Sequence, residues 1–223
     1  MTSKRLMIVA LSLFFCVAVF GQDYFFSTDP HHVSTYQNYD AAGNKIGHYD
    51  EKTVSMVGDI TNGSMTFDQH YYDKDGKPVF REGALFKLKI SIVKAELSAY
   101  IESVGKALAV QDMMAKGNVA ALPLDMRAGD RLEDTKMHIQ MGKTKGTITL
   151  KNRKVLAIEK VTTPAGTFDS YKVSETQTIK VLVMTSEVEI VSWFVKGLGC
   201  VRQETFDRHG KLQNWLQIVS VGK

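Results

Sequence analysis

Trp193 and Phe194 stand side by side in this chain, and Trp215 follows on the next turn-bounded segment but one. Flat aromatic faces can stack on a sugar ring or line a cavity for an aliphatic chain. Trp193, Phe194 and Trp215 therefore form the candidate ligand-binding set, with ordinary core packing as the competing reading. Met113 and Met114 add adaptable side chains that would suit a lid over an apolar pocket.

The other reactive residue types lack a productive spacing. His31 and His32 are adjacent, so on an extended chain they point to opposite sides, and His48, His70, His138 and His209 stand alone. Asp68, Asp73 and Asp75 suggest a calcium loop, but Lys74 and Lys77 interrupt it and the terminal Glu is missing. There is no Gly-x-Ser-x-Gly elbow, no His-Glu-x-x-His and no phosphate-cradling glycine loop. Gly197-Leu198-Gly199 lacks the third glycine of a dinucleotide fingerprint. Cys200, inside the apolar run Leu198 to Val201, reads as a buried core thiol. No catalytic residue, metal ligand or cofactor is assigned. A carboxylate pair assembled from distant strands is the one hydrolytic arrangement that would leave no local trace; Glu187 and Glu189 alternate with apolar residues as an exposed strand does.

The elements that would position the aromatics are announced by turns. Tyr39-Asp40-Ala41-Ala42-Gly43, Tyr72-Asp73-Lys74-Asp75-Gly76 and Phe206-Asp207-Arg208-His209-Gly210 share one pattern, and Thr163-Pro164-Ala165-Gly166 is read with the same geometry. Asp caps backbone N–H groups at the first position of a type I turn, and Gly takes the left-handed position that closes a bulged hairpin. This spacing assigns the conspicuous aspartates to hairpin closure.

Between the turns the period is two. Met65, Phe67, Gln69 and Tyr71 alternate with Thr66, Asp68 and His70, and Phe86, Leu88, Ile90 and Ile92 with Lys87, Lys89 and Ser91. Strands are predicted at 147–151, 155–162, 168–183, 187–195, 200–206 and 212–221, with Val188 to Val195 covered on both faces. The stretch 93–117 fits helix and strand alike; it is read as strand to about Glu102 and a short helix over Ala107 to Lys116. Residues 122–131 read as a surface loop. The expected fold is all-β and mainly antiparallel: a curved sheet of roughly ten strands forming a barrel, half-barrel or sandwich, with one short helix.

Residues 1–21 read as a secretory signal, with Lys4 and Arg5 before the apolar stretch Leu6 to Phe20. The remaining residues 22–223 are taken as one domain carrying 26 basic and 24 acidic residues, a net charge of +2. That balance offers no footprint for nucleic acid, and no second apolar segment is long enough to span a membrane as a helix. A single cysteine after the signal excludes a disulfide framework.

Three stretches carry a resemblance: Val161 to Phe168 followed by Tyr171-Lys172-Val173, Trp193 to Arg202, and the Tyr39 to Asn44 hairpin; Leu122 to Leu132 fits with them. In this order they resemble the exported DUF3108-like (TapB-type) proteins of Bacteroidetes, an uncharacterised family. The resemblance implies an exported all-β, barrel-like protein and brings no catalytic residues with it. The expectation is an exported non-enzymatic protein, periplasmic or extracellular or held at the outer membrane. It would bind an apolar or amphiphilic small molecule on the concave face of its sheet. The alternative is an interaction or structural module that contacts another envelope protein, and a hydrolase ranks third.

Overall fold

Each Asp-x-x-Gly segment folds as its residue types dictate. The Asp40 carboxylate accepts from the N–H groups of Ala42 and Asn44, both at 2.9 Å. The Asp73 carboxylate does the same for Asp75 and Lys77, and that of Asp207 for His209 and Lys211. Gly43, Gly76 and Gly210 close these turns at φ of 84°, 76° and 76°. The Thr163–Gly166 turn is tighter than expected. Thr163 and Gly166 are themselves a strand pair, so Pro164 and Ala165 alone form the loop, with Gly166 at φ 141°.

In the computed structural model, described for residue 29 and for residues 31–58, 62–79, 85–93, 96–104, 113–118, 122–123 and 125–222, these hairpins succeed one another around a ring. The signal assigned to residues 1–21 lies outside the described residues. The strands are β1 (Val33–Asp40), β2 (Lys45–Gly58), β3 (Asn62–Asp73), β4 (Leu85–Val93), β5 (Glu96–Val104) and β6 (Met113–Asn118). They continue as β7 (Thr135–Met141), β8 (Thr144–Thr163), β9 (Gly166–Val181), β10 (Met184–Val195), β11 (Gly199–Asp207) and β12 (Leu212–Gly222). Every strand pairs antiparallel with its sequence neighbours, and β1 pairs with β12 through Tyr36 opposite Ile218. The sheet is thereby a closed up-and-down barrel of twelve strands.

Two expectations are corrected. No helix occurs among the described residues: Met113 to Lys116 belong to strand β6, and the rest of the predicted helix, 107–112, lies outside them. The pairing of Tyr100 with Met114 and Ser98 with Lys116 gives β6 a partner row that an apolar periodicity cannot reveal. The strands foreseen at 147–151 and 155–162 are one strand, β8, whose ladder is interrupted at Lys151/Lys154 and again at Val155/Ala157. Such bulges bend a strand without ending it.

Alternation sorts the side chains. Ile148, Leu150, Val155, Ile190 and Ile218 point inward and have at most 1 % of their surface exposed. Lys136 and His138 on β7, Lys145 and Lys151 on β8, and Glu187 and Glu189 on β10 occupy the opposite face. A second group closes against the β6–β7 connection, where Leu122 and Met126 pack on Val155, Val173, Phe194 and Cys200. Backbone bonds lock that connection to β8: Gly129 and Leu132 donate to the carbonyls of Val155 and Arg153, and Val155 donates to that of Asp130.

Candidate functional site

The described surface is hollowed where β3, β4, β5 and β6 run side by side. Register sets two rows across these strands. In the first, Ser64 lies opposite Ser91, Ser91 opposite Ser98, and Ser98 opposite Lys116. In the second, Thr66 lies opposite Lys89, Lys89 opposite Tyr100, and Tyr100 opposite Met114. The intervening residues Met65, Ile90 and Ala115 are buried, so both rows stand on the outer face. Three serines in line take little volume, and longer side chains bound them. The result is a half-open cavity of about 300 Å3.

Its chemistry is two-sided. Tyr100 and Met114 offer an aromatic face and a polarisable thioether for apolar matter. Lys89 and Lys116 bring ammonium groups, and Ser64, Ser91, Ser98 and Thr66 bring hydroxyls, for a polar or anionic head. A volume near the lower end of small-molecule sites admits a compact ligand or one end of a longer one. Met114, foreseen on a lid, is instead in the wall of this cavity.

The three aromatics singled out from the sequence are not gathered into one pocket. Trp193 is 6 % exposed and belongs to a packed cluster with Tyr36, Tyr49, Val161, Val201, Leu216 and Ile218. Its indole N–H donates to the Glu159 carboxylate at 2.8 Å. The Lys172 ammonium lies 4.7 Å from its ring centroid and the Arg202 guanidinium 5.5 Å. Arg202 also lies 5.1 Å from the Trp215 ring, which stacks on Tyr39 at 4.0 Å. Trp193 and Trp215 are thus joined through Arg202, itself held by Glu204 at 2.6 Å. Phe194, the next residue in the strand, belongs to the separate cluster around Leu122 and Met126.

Among the described residues, the buried side-chain polar atoms have hydrogen-bond partners with one exception. Gln69 donates to the Glu51 carboxylate at 2.6 Å and accepts from the Tyr71 hydroxyl at 2.9 Å. Burial pushes the Glu51 carboxyl above the usual range, against the pull of the Gln69 bond, and it pushes the Tyr71 hydroxyl up as well, with the Glu51 charge adding to it. Tyr71 stacks on Tyr49, and Tyr49 on Tyr36. Arg153 and Glu175 form a buried pair at 3.2 Å, and Arg153 also donates to the Glu133 carbonyl at 2.9 Å. Burial pushes the Glu175 carboxyl up against the pull of that guanidinium. The exception is Gln177, whose amide nitrogen is buried without a hydrogen-bond partner.

Cys200 is buried, and its thiol donates to the Arg202 carbonyl. Among the described residues no three His, Cys, Asp or Glu side chains gather as a group able to hold a metal ion. Sequence reading passed over Lys89, Ser91, Ser98 and Tyr100. Their signal was symmetry: Lys89 and Ser91 mirror Ser98 and Tyr100 about the β4–β5 connection. It becomes legible only once Leu85–Val93 and Glu96–Val104 are paired as β4 and β5.

The family model described as DUF3108-like matches residues 32–217 of the chain. A crystal structure of a candidate exported protein with a YmcC-like fold from Bacteroides fragilis NCTC 9343 is similar to it, with a TM-score of 0.69 at 19% identity, covering 90% of this chain and 100% of that one. A candidate lipoprotein from Parabacteroides distasonis ATCC 8503 is similar with a TM-score of 0.67 at 18% identity, covering 91% of this chain and 100% of that one. At these identities the likeness establishes the fold. No curated protein matches the chain.

Proposed function

The chain belongs to the DUF3108-like family, and from that premise we propose that it is an exported, non-enzymatic protein that holds an amphiphilic small molecule in the β3–β6 groove. The observation that carries this reading is the juxtaposition of Tyr100 and Met114 with Lys89, Lys116 and a row of three serines around one half-open cavity. An apolar segment would lie on the tyrosine and methionine, and its polar end would meet the ammonium and hydroxyl groups.

A binding role is favoured over a hydrolytic one by how the carboxylates are used. Asp40, Asp73 and Asp207 cap turns, Glu51 takes the Gln69 amide, Glu175 takes Arg153, and Glu159 takes Trp193. Export rests on the apolar leader read at residues 1–21, and it agrees with the descriptions carried by the two similar structures.

Protein purified gently from its own envelope and weighed by native mass spectrometry tests the reading. A co-purifying amphiphile of defined mass is the expected result. A stoichiometric protein partner would favour an interaction module instead, and an empty monomer would count against both.

A further inference from the structure

The β9–β10 hairpin ends in a turn that folding alone does not account for. Val181 pairs with Met184, so Leu182 and Val183 form a two-residue loop. Leu182 has φ 53°, while Val183 is not among the residues of positive φ. Positive φ at the first loop position alone is the type II′ pattern, where glycine is the favoured residue and a branched side chain is strained. The strain is not offset by packing. Leu182 is 77 % exposed, Val183 98 % and Met184 53 %.

The tip also stands clear of its neighbours. β10 pairs with β11 only from Val188 onward, so Met184 to Glu187 lack a ladder on that side. Basic residues flank it on the β8 side: Lys180 lies opposite Thr185 and Thr147, and Lys143 and Lys145 come from the adjacent β7–β8 hairpin, all three exposed. The closest carboxylate along the hairpin, Glu187, accepts from the Thr178 hydroxyl at 3.1 Å.

We propose that Leu182, Val183 and Met184 insert into the interface of a lipid bilayer, with Lys143, Lys145 and Lys180 meeting anionic headgroups. Three aliphatic side chains on a convex tip cover too little area for a stable protein interface. They suit shallow insertion, and lysines on one flank suit phosphate at that depth. The barrel would then sit on the membrane surface with its charged outer strands in water. This site shares no residue with the β3–β6 groove, so either can fail while the other stands.

Flotation of the purified protein with lipid vesicles tests the proposal. The wild type is expected to float with phosphatidylethanolamine vesicles containing phosphatidylglycerol and more weakly with phosphatidylcholine alone. L182G/V183S, which places turn-favoured residues at the tip, should bind about tenfold more weakly or worse while melting at the same or a higher temperature. K143E/K145E/K180E should lose the preference for phosphatidylglycerol. The proposal is overturned if the wild type does not float, if L182G/V183S floats as the wild type does, or if the wild type self-associates through this tip in place of binding vesicles.

Discussion

The indole N–H of Trp193 donates to the Glu159 carboxylate at 2.8 Å, across 34 residues of sequence. This bond, with Lys172 and Arg202 over the ring, makes Trp193 a clasp between β8, β9, β10 and β11. Trp193→Phe should cost about 1 kcal/mol, because the lost partner, Glu159, is partly exposed and can be hydrated. Trp193→Ala should cost about 3–5 kcal/mol through the cavity it leaves. Urea unfolding of the two variants measures both, and vesicle flotation should not change.

The barrel's acidic groups oppose one another in pH dependence. Hydrogen bonds hold the carboxyls of Asp40, Asp73 and Asp207 below the usual range, chiefly from Asn44, Lys77 and Lys211 respectively. Their contribution is present above an unfolded pKa of about 3.9 and is lost as pH falls through the folded values. Glu51 is raised by burial, so its protonated form is favoured in the folded state and stability falls as pH rises from about 4.3 through its folded value. Glu51→Gln should remove that fall. The urea midpoints of wild type and E51Q should therefore diverge with increasing pH, and parallel curves would contradict the assignment.

The two strands β6 and β7 meet at a glycine. A methyl group on Gly117 would run into the Lys136 carbonyl oxygen and stand 2.8 Å from the Met137 Cα, both backbone atoms. Gly117→Ala must part the strands and should cost more than about 2 kcal/mol. At Gly43 the same methyl meets nothing within 4 Å, so Gly43→Ala should cost only the left-handed backbone, about 1 kcal/mol. Thermal melts of the pair order the two costs.

The turns were the most legible part of this fold because their chemistry is local. Asp40, Asp73 and Asp207 each bond to N–H groups within four residues. Ring closure was not legible. The pairing of Tyr36 with Ile218 joins the two ends of the barrel, and period-two alternation is the same in a sandwich. Strand β6 was misread for a related reason, since an apolar stripe does not say whether Tyr100 will supply a cross-strand partner for Met114. The aromatic character of Trp193 was visible, but Glu159 and Arg202, which occupy its N–H and its ring, come from other strands. The groove was missed because its serines are unremarkable until register lines them up.

Arg153 ties the barrel wall to the β6–β7 connection through Glu175 and the Glu133 carbonyl. Removing one partner of a buried pair leaves the other charge without compensation, so Arg153→Ala should cost about 3–5 kcal/mol. It should also raise hydrogen exchange at Leu132, whose N–H bonds to the Arg153 carbonyl. Replacing both partners with apolar residues, Arg153→Met with Glu175→Leu, should recover most of the loss.

The claim that the β3–β6 groove holds an amphiphile is tested most directly by blocking it. Ser98 stands between Ser91 and Lys116 in the middle of the cavity, and Ser98→Trp would fill it from the outer face without touching the core. Native mass spectra of wild type and S98W, purified side by side from the same envelope, decide the matter. An added mass on the wild type that S98W lacks, with equal melting temperatures, is the expected result. An adduct of the same mass and abundance on both proteins, or on neither, would contradict it.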